Sequence, residues 1–506
     1  MSKHVVVIGA GVAGLATAAL LLREGMRVTV VDKQRSVGGR AGSLELDGFR
    51  FDTGPSWYLM PEAFDEFFRA CGTTTARELD LVDLSPAYRV VNEDGESIDI
   101  DTGVDNVVAL FESLEPGAGD KVRAYLSRAS DVYAVALRNF LYTTFSRPTQ
   151  LLSKDALTRL GTLALLLTRS LNALVAAQFK DYRLRQILTY PAVFLSTEPK
   201  AAPALYSLMS HTDLVEGVRY PLGGFAAVVD AIARQADGAT FELGTAVAAI
   251  THAEGRATGV TLDDGRTIPA DAVVSAADLH HTETALLPKE LQTYPERYFA
   301  RRDPGLGTVL VFLGVKGSLP QLAHHTLLFS KDWTPDFKAV YHGPEPTRPL
   351  GASQSIYVSK TSATDSSVGP EGYENLFILV PVPADESYGH GDAYGAKESA
   401  RVSAIANAAV AQLGSWLGIE DLEGRVVVKR TLGPGDFAEQ YNSWSGGAVG
   451  PAHTLRQSAF FRGRNQSRTL SNLYYAGGTT VPGVGVPMCL ISAHNVLTRM
   501  KEQAVY

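Results

Sequence analysis

The chain has 506 residues, 45% of them apolar and 20% charged, with a formal net charge of −8. That is apolar material for a large core, which excludes global disorder and a disulfide-stapled miniprotein, and the length corresponds to about three units or two large ones. The acidic balance argues against a general nucleic-acid binder. The two cysteines, Cys71 and Cys489, are far apart and outside any CxxC, so they indicate neither a thiolate zinc site nor a disulfide framework and read as reduced thiols of a cytoplasmic protein.

Taken in chain order, His4–Ile8 reads as a strand buried on both faces. Gly9-Ala10-Gly11-Val12-Ala13-Gly14 follows, a GxGxxG. Leu15–Arg23 favours helix, Gly25 ends it, and Arg27–Val31 is a second strand closing on Asp32. The run from Val5 to Leu22 superficially resembles a signal peptide, but its three glycines have a better explanation. Gly9 allows a tight turn, Gly11 lets backbone approach a pyrophosphate, and Gly14 lets helix and strand pack closely. The helix N-terminus then faces the phosphates. Asp32 stands 23 residues after Gly9, where an acid binds ribose hydroxyls. A complete βαβ unit in register with an acid predicts a dinucleotide site.

Gly38-Gly39-Arg40 comes next in one short loop, and a guanidinium fork matches two phosphate oxygens. Asp52-Thr53-Gly54-Pro55-Ser56 follows. These segments resemble the GG-Arg extension and the D-x-G-P-S segment of the flavin amine oxidase and phytoene desaturase superfamily. The resemblance implies FAD as cofactor, with Arg40 on the pyrophosphate and the segment around Gly54 close to the flavin. The family usually has Glu where this chain has Asp32, and Asp also binds a ribose diol.

Tyr88–Val91 and Ser97–Ile100 flank a turn and predict a β-hairpin. From about Lys121 to Gln186 the pattern turns helical. Within 131–190, eight basic side chains (Arg138, Arg147, Lys154, Arg159, Arg169, Lys180, Arg183, Arg185) face three acids (Asp131, Asp155, Asp181), a local balance of +5. A basic, apolar, helical segment suits either a helical cap or a monotopic membrane face. Its apolar stretch Leu160–Thr168, bracketed by Arg159 and Arg169, leaves nine uncharged residues, against about 20 needed to span a bilayer; neither a transmembrane helix nor export is expected.

Pro221–Phe225 precedes a helical run to Gln235. Strands follow at Thr240–Leu243, Val247–Ile250 and Asp271–Ser275, with a hairpin turning at Asp263-Asp264-Gly265. This block resembles the family's second FAD segment, where the valine at Val247 meets adenine. Residues 305–460 predict short strands alternating with helices. Near the end a strand (LYYA, from Leu473) enters the loop Gly477-Gly478-Thr479-Thr480-Val481-Pro482-Gly483-Val484-Gly485-Val486-Pro487, and a helix follows from about Met488 to Met500. A helix N-terminus here would stabilise the negative charge of a reduced flavin. The loop resembles the C-terminal signature of bacterial-type carotenoid desaturases, and with Gly446–Asn465 the resemblance runs from residue 4 to about 498.

The resemblance implies an α/β fold with a Rossmann-like FAD-binding domain built from 1–80, 216–290 and 465–506. A substrate domain would comprise 81–120 and 291–464, and a helical cap, a candidate membrane contact, 121–215. The residues expected to bind FAD are Gly9, Ala10, Gly11, Gly14, Asp32, Gly39, Arg40, Gly54, Val247, Gly478, Pro487 and Met488. The implied activity is desaturation of a long polyene such as phytoene in carotenoid biosynthesis, by an enzyme peripherally attached to a membrane. Oxygen or a quinone would be the electron acceptor, and an oligomer is compatible with the sequence. Alternatives on the same scaffold are a carotene isomerase or retinoid saturase, an amine oxidase, and a non-enzymatic prenyl-lipid escort. The proton acceptor stays open among His211, Asp213, Glu216, His453 and Arg456. His280-His281 and His324-His325 do not indicate metal, because adjacent residues on a strand point to opposite faces and no Cys or HExxH accompanies them.

Overall fold

Val5, Val6 and Val7 have no solvent-exposed surface, as a strand between two parallel neighbours requires. The strand His4–Ile8 is the centre of a five-stranded, all-parallel sheet ordered Leu473–Tyr475, Ala272–Ser275, His4–Ile8, Arg27–Asp32, Thr240–Leu243. Three distant stretches of chain therefore build one sheet. The structure, a computed structural model, describes residues 2–144 and 165–503, apart from the side chain of Asn139. The helix Val12–Arg23 packs on this sheet between the helices Gly224–Gln235 and Val486–Glu502. It begins three residues before the predicted start, directly after Gly11, because Gly9 (φ +101°) makes the turn and Gly14 allows the close approach. A Cβ on Gly14 would stand 1.8 Å from the Gly9 carbonyl oxygen.

A small antiparallel sheet (Val247–Ala253, Arg256–Leu262, Thr267–Pro269) flanks the parallel one. A second large sheet has seven strands, ordered Val426–Leu432, Leu306–Lys316, Tyr373–Pro383, Ile356–Ser359, His325–Phe329, Tyr88–Asn92, Ser97–Ile100. Its pairs are antiparallel except His325–Phe329 against Tyr88–Asn92. The predicted short strands of 305–460 are corrected here. Leu306–Lys316 and Tyr373–Pro383 each run 11 residues, and the first ten of Leu306–Lys316 are all buried, so no alternation marks their length in the sequence.

Above the cleft between the sheets lies the long helix Ala118–Ala136, continued by a wider turn to Leu141. The helical stretch predicted to Gln186 resolves, where described, into separate helices. Leu171–Ala176 is capped by Ser170, whose hydroxyl accepts from Ala173 N–H at 3.2 Å, and Tyr182–Thr189 is capped by Asp181. Arg147, Lys154, Asp155, Arg159 and most of Leu160–Thr168 lie outside the described residues. Among the described residues no helix is long and apolar enough to cross a membrane. The C-terminal helix starts at Val486 rather than Met488, because Pro487 fits the first turn, where its missing N–H is not needed.

Candidate cofactor and substrate site

The glycine turn, the Gly38–Ala41 loop and the C-terminal loop converge on one cavity of about 1380 Å³. Single ligand sites typically span roughly 300–1,000 Å³, so this one has room for two. Of the residues expected at the cofactor, Gly9, Gly11, Asp32, Gly39, Arg40, Gly54, Val247, Gly478, Pro487 and Met488 line it. Ala10 and Gly14 stand behind the wall. Ala10 N–H donates to Asp32 Oδ2 at 2.6 Å, and Gly14 packs on Gly9.

Asp32 Oδ1 accepts from Gln34 N–H at 2.7 Å, so both carboxylate oxygens are held by backbone. Burial pushes the Asp32 carboxyl above its usual range while these two N–H groups oppose the rise. Lys33 and Gln34, which sequence reasoning did not single out, also line the cavity. They hold the C-terminal end of the helix Pro434–Tyr441, Lys33 through Asn442 Oδ1 at 2.9 Å and Gln34 through the Gln440 carbonyl at 2.9 Å.

Arg40 is braced by the Ser443 hydroxyl and by Asp278 at 3.6 Å. Its Nε is buried with no partner among the described residues. A buried guanidinium N–H left open beside Gly11 and Gly39 fits a phosphate oxygen. Gly11 has only open space toward the cavity, since a Cβ there would meet nothing nearer than the Gly38 carbonyl oxygen at 3.8 Å. The polar half thus has the donors and the close-approach backbone that a dinucleotide requires.

The segment after the second motif divides its work. Thr53, Gly54, Pro55 and Ser56 line the cavity, whereas Asp52 does not. Asp52 accepts from Phe225 N–H (2.8 Å) and Ala226 N–H (3.3 Å) and so caps the helix Gly224–Gln235. Burial lifts its carboxyl to about 6.

The other half of the cavity is apolar. Val132, Ala136, Leu141, Phe194, Leu208, Leu310 and Phe377 come from the long helix, the helical region and the second sheet. At the junction Trp57 stacks on His325, with ring centroids 4.4 Å apart and planes within 10°. Tyr357 Oη bonds both Ser56 Oγ and His325 Nδ1 at 2.7 Å. Burial drives His325 well below the ordinary histidine range, so this ring is neutral. The array joins residues about 300 positions apart in sequence, so no local motif marks it.

Of the five candidate proton acceptors, only His453 lines the cavity. Val484 N–H donates to His453 Nε2 at 3.2 Å, so the ring proton sits on Nδ1 and is shared with Tyr206 Oη at 2.7 Å. Both nitrogens are committed, and burial holds the ring neutral. Asp213 is buried under Tyr190 Oη (2.8 Å), its carboxyl lifted to about 7 by burial. His211 bonds Ser130 at 2.8 Å and Glu216 at 3.3 Å, and Arg456 is on the surface. None of these four lines the cavity. His280 and His281 belong to the helix Leu279–Ala285 and not to a strand, because Asp278 caps that helix through His280 N–H. The His324 and His325 rings lie 4.5 Å apart, each bonded to a hydroxyl. Among the described residues no group of three or more His, Cys, Asp or Glu could hold a metal ion.

The profile of the flavin containing amine oxidoreductase family matches residues 12–499. A carotenoid 3,4-desaturase of Haloarcula japonica is 37% identical, covering 99% of this chain and 98% of its own. A zeta-carotene-forming phytoene desaturase of Myxococcus xanthus is 34% identical, covering 99% and 94%. Among solved structures, an oxidoreductase from Methanosarcina mazei shares the fold with a TM-score of 0.62 at 18% identity, covering 98% of this chain and all of its own. The chain belongs to the flavin containing amine oxidoreductase family, and its cofactor is FAD.

Proposed function

We propose that this protein is a FAD-dependent carotenoid desaturase that removes two hydrogens from adjacent carbons of a long polyene. The observation that carries the reading is the single cavity in which a dinucleotide cradle opens into an apolar chamber. The desaturases among its relatives, similar over nearly their full length, point the same way. We assign the polar half, from Gly9 and Asp32 through Arg40 to Gly478 and Met488, to FAD.

Bound FAD would supply the acceptor for a hydride from an allylic carbon, and the proton of the neighbouring carbon would be released to solvent as the double bond forms. The protein supplies position and dryness. A polyene has no group to hydrogen-bond, so its alignment rests on the shape of the wall formed by Ala136, Leu310 and their neighbours. Trp57, held by His325 and the Tyr357–Ser56 bond, gives that wall a rigid face at the junction. His453 anchors Val484 through its Nε2 and so fixes the loop beside the ring site, rather than taking up a proton. Oxygen or a quinone would take the electrons from the reduced cofactor. Expression in a bacterium that accumulates phytoene, with chromatography of its pigments, tests the reading.

The substrate's home in a bilayer accounts for the mouth of the cavity. Leu455, Phe460 and Phe461 line the cavity and are 44%, 39% and 60% exposed. With Leu167, which also lines the cavity and is 37% exposed, they form an apolar rim. We assign this rim to the surface of a membrane, and the excess of basic residues in the sequence of 131–190 favours anionic lipid. Flotation with anionic liposomes at low salt is expected to carry the protein to the top of the gradient, and Phe461→Glu to weaken it. No binding by the unaltered protein would contradict the assignment.

A further inference from the structure

Arg462 is 3% exposed, and among the described residues it forms no ion pair with a carboxylate. Its guanidinium donates to four carbonyl oxygens instead: Gly478 at 2.6 Å, Thr480 at 3.0 Å, Pro451 at 3.2 Å and Gln457 at 3.4 Å. Two of these belong to the C-terminal loop, and Gly478 itself lines the cavity beside Pro487 and Met488. Carbonyl dipoles satisfy the N–H groups but leave the net charge unanswered, and an unpaired buried cation is costly. Nearby groups do not answer it. Among the described neighbours, His453 is neutral, Tyr206 and Tyr298 keep their protons because burial raises both, and the Asp278 carboxylate already opposes Arg40. Burial lowers the Arg462 guanidinium to about 10, which still leaves it positively charged at neutral pH directly behind the loop that borders the cofactor site.

We propose that Arg462 is the counter-charge for the reduced flavin, acting through the Gly478 loop as a positioning residue. Two electrons and one proton added to the oxidised ring leave one negative charge, spread over N1 and the C2 carbonyl oxygen. That charge is what the buried guanidinium lacks. In a low-dielectric site the attraction between them is strong, and it shifts the reduction equilibrium toward the anion. The inference rests on FAD occupying the cavity and is independent of which polyene is handled.

The test uses FAD-loaded protein and two readouts other than turnover. Sulfite adds to flavin N5 by donating its sulfur lone pair; nothing leaves, and the negative charge appears over N1 and the C2 oxygen. The sulfite dissociation constant is expected to rise at least tenfold in Arg462→Gln. The two-electron midpoint potential should fall correspondingly by at least about 30 mV. Arg462→Lys, which keeps the charge with fewer donors, should stay within about threefold of the unaltered protein. An Arg462→Gln holoprotein with unaltered sulfite affinity and potential would overturn the proposal, because a purely structural clamp would change FAD retention and not the potential of bound FAD. The unaltered protein gives a second decision that needs no variant. In mildly acid solution its potential should change by about 30 mV per pH unit, one proton per two electrons. A slope of about 59 mV, two protons per two electrons, would mean a neutral reduced flavin and would overturn the proposal. An unaltered chain that takes up no FAD would instead overturn the cofactor assignment on which it rests.

Discussion

Gly11→Val is expected to give a folded protein without flavin. Gly11 has φ −72° and ψ 178°, extended backbone that valine readily adopts. A Cβ there meets only the Gly38 carbonyl oxygen at 3.8 Å and Gly39 Cα at 3.9 Å, both ordinary contacts. The cofactor-free chain therefore has room for the side chain, and the methyl groups occupy the space that a pyrophosphate must enter. Affinity for FAD should fall by at least 100-fold, about 2.7 kcal/mol. Purified protein should lack flavin absorption bands while keeping the circular dichroism and melting behaviour of the cofactor-stripped parent. Gly14→Val should behave differently, because its Cβ would stand 1.8 Å from the Gly9 carbonyl oxygen and the helix would be forced off the sheet. Unchanged flavin content in Gly11→Val would place the pyrophosphate elsewhere.

Ala136→Trp is expected to leave FAD in place and to abolish most of the desaturation. Ala136 is the last residue of the long helix and lines the apolar half of the cavity, remote from the glycine turn in the chain. An indole there fills space rather than cutting into a packed core. A stiff polyene offers no polar handle by which it could be held in a new pose, and a displacement of about 1 Å from the reacting geometry costs on the order of 100-fold in rate. Product formation should fall by about that factor with the flavin-to-protein ratio unchanged. Equal loss of flavin and activity would mean that the two halves of the cavity are not separate sites.

The two halves were unequally legible in the sequence. Each glycine of the first motif acts on its immediate neighbours, so spacing alone conveys its work, and Asp32 ends the strand adjacent to the one that precedes the glycine turn. The C-terminal loop is legible for the same reason, a strand, a Gly/Pro turn and a helix start in succession. The α/β class followed from these units. The chamber wall was not legible, because Val132, Leu310 and Phe377 are indistinguishable from core residues until the long helix and the second sheet are seen to face one space. Asp52 shows the opposite difficulty. It sits inside a recognisable motif, yet its carboxylate caps a helix more than 170 positions later. Arg462 lay within a segment noted for its resemblance, but the role proposed for it rests on four carbonyls and on the lack of a carboxylate partner among the described residues, which only the folded chain reveals.

FAD and a polyene are expected to share one cavity, in which the chain desaturates the polyene. The most direct test is expression of the unaltered chain in a bacterium that accumulates phytoene, with flavin content of the purified protein measured alongside the extracted pigments. The expected result is flavin-loaded protein together with pigments of longer conjugation, absorbing at longer wavelength than phytoene. Flavin-loaded protein with phytoene unchanged, and equally unchanged when the more unsaturated carotenes are supplied in its place, would contradict this expectation.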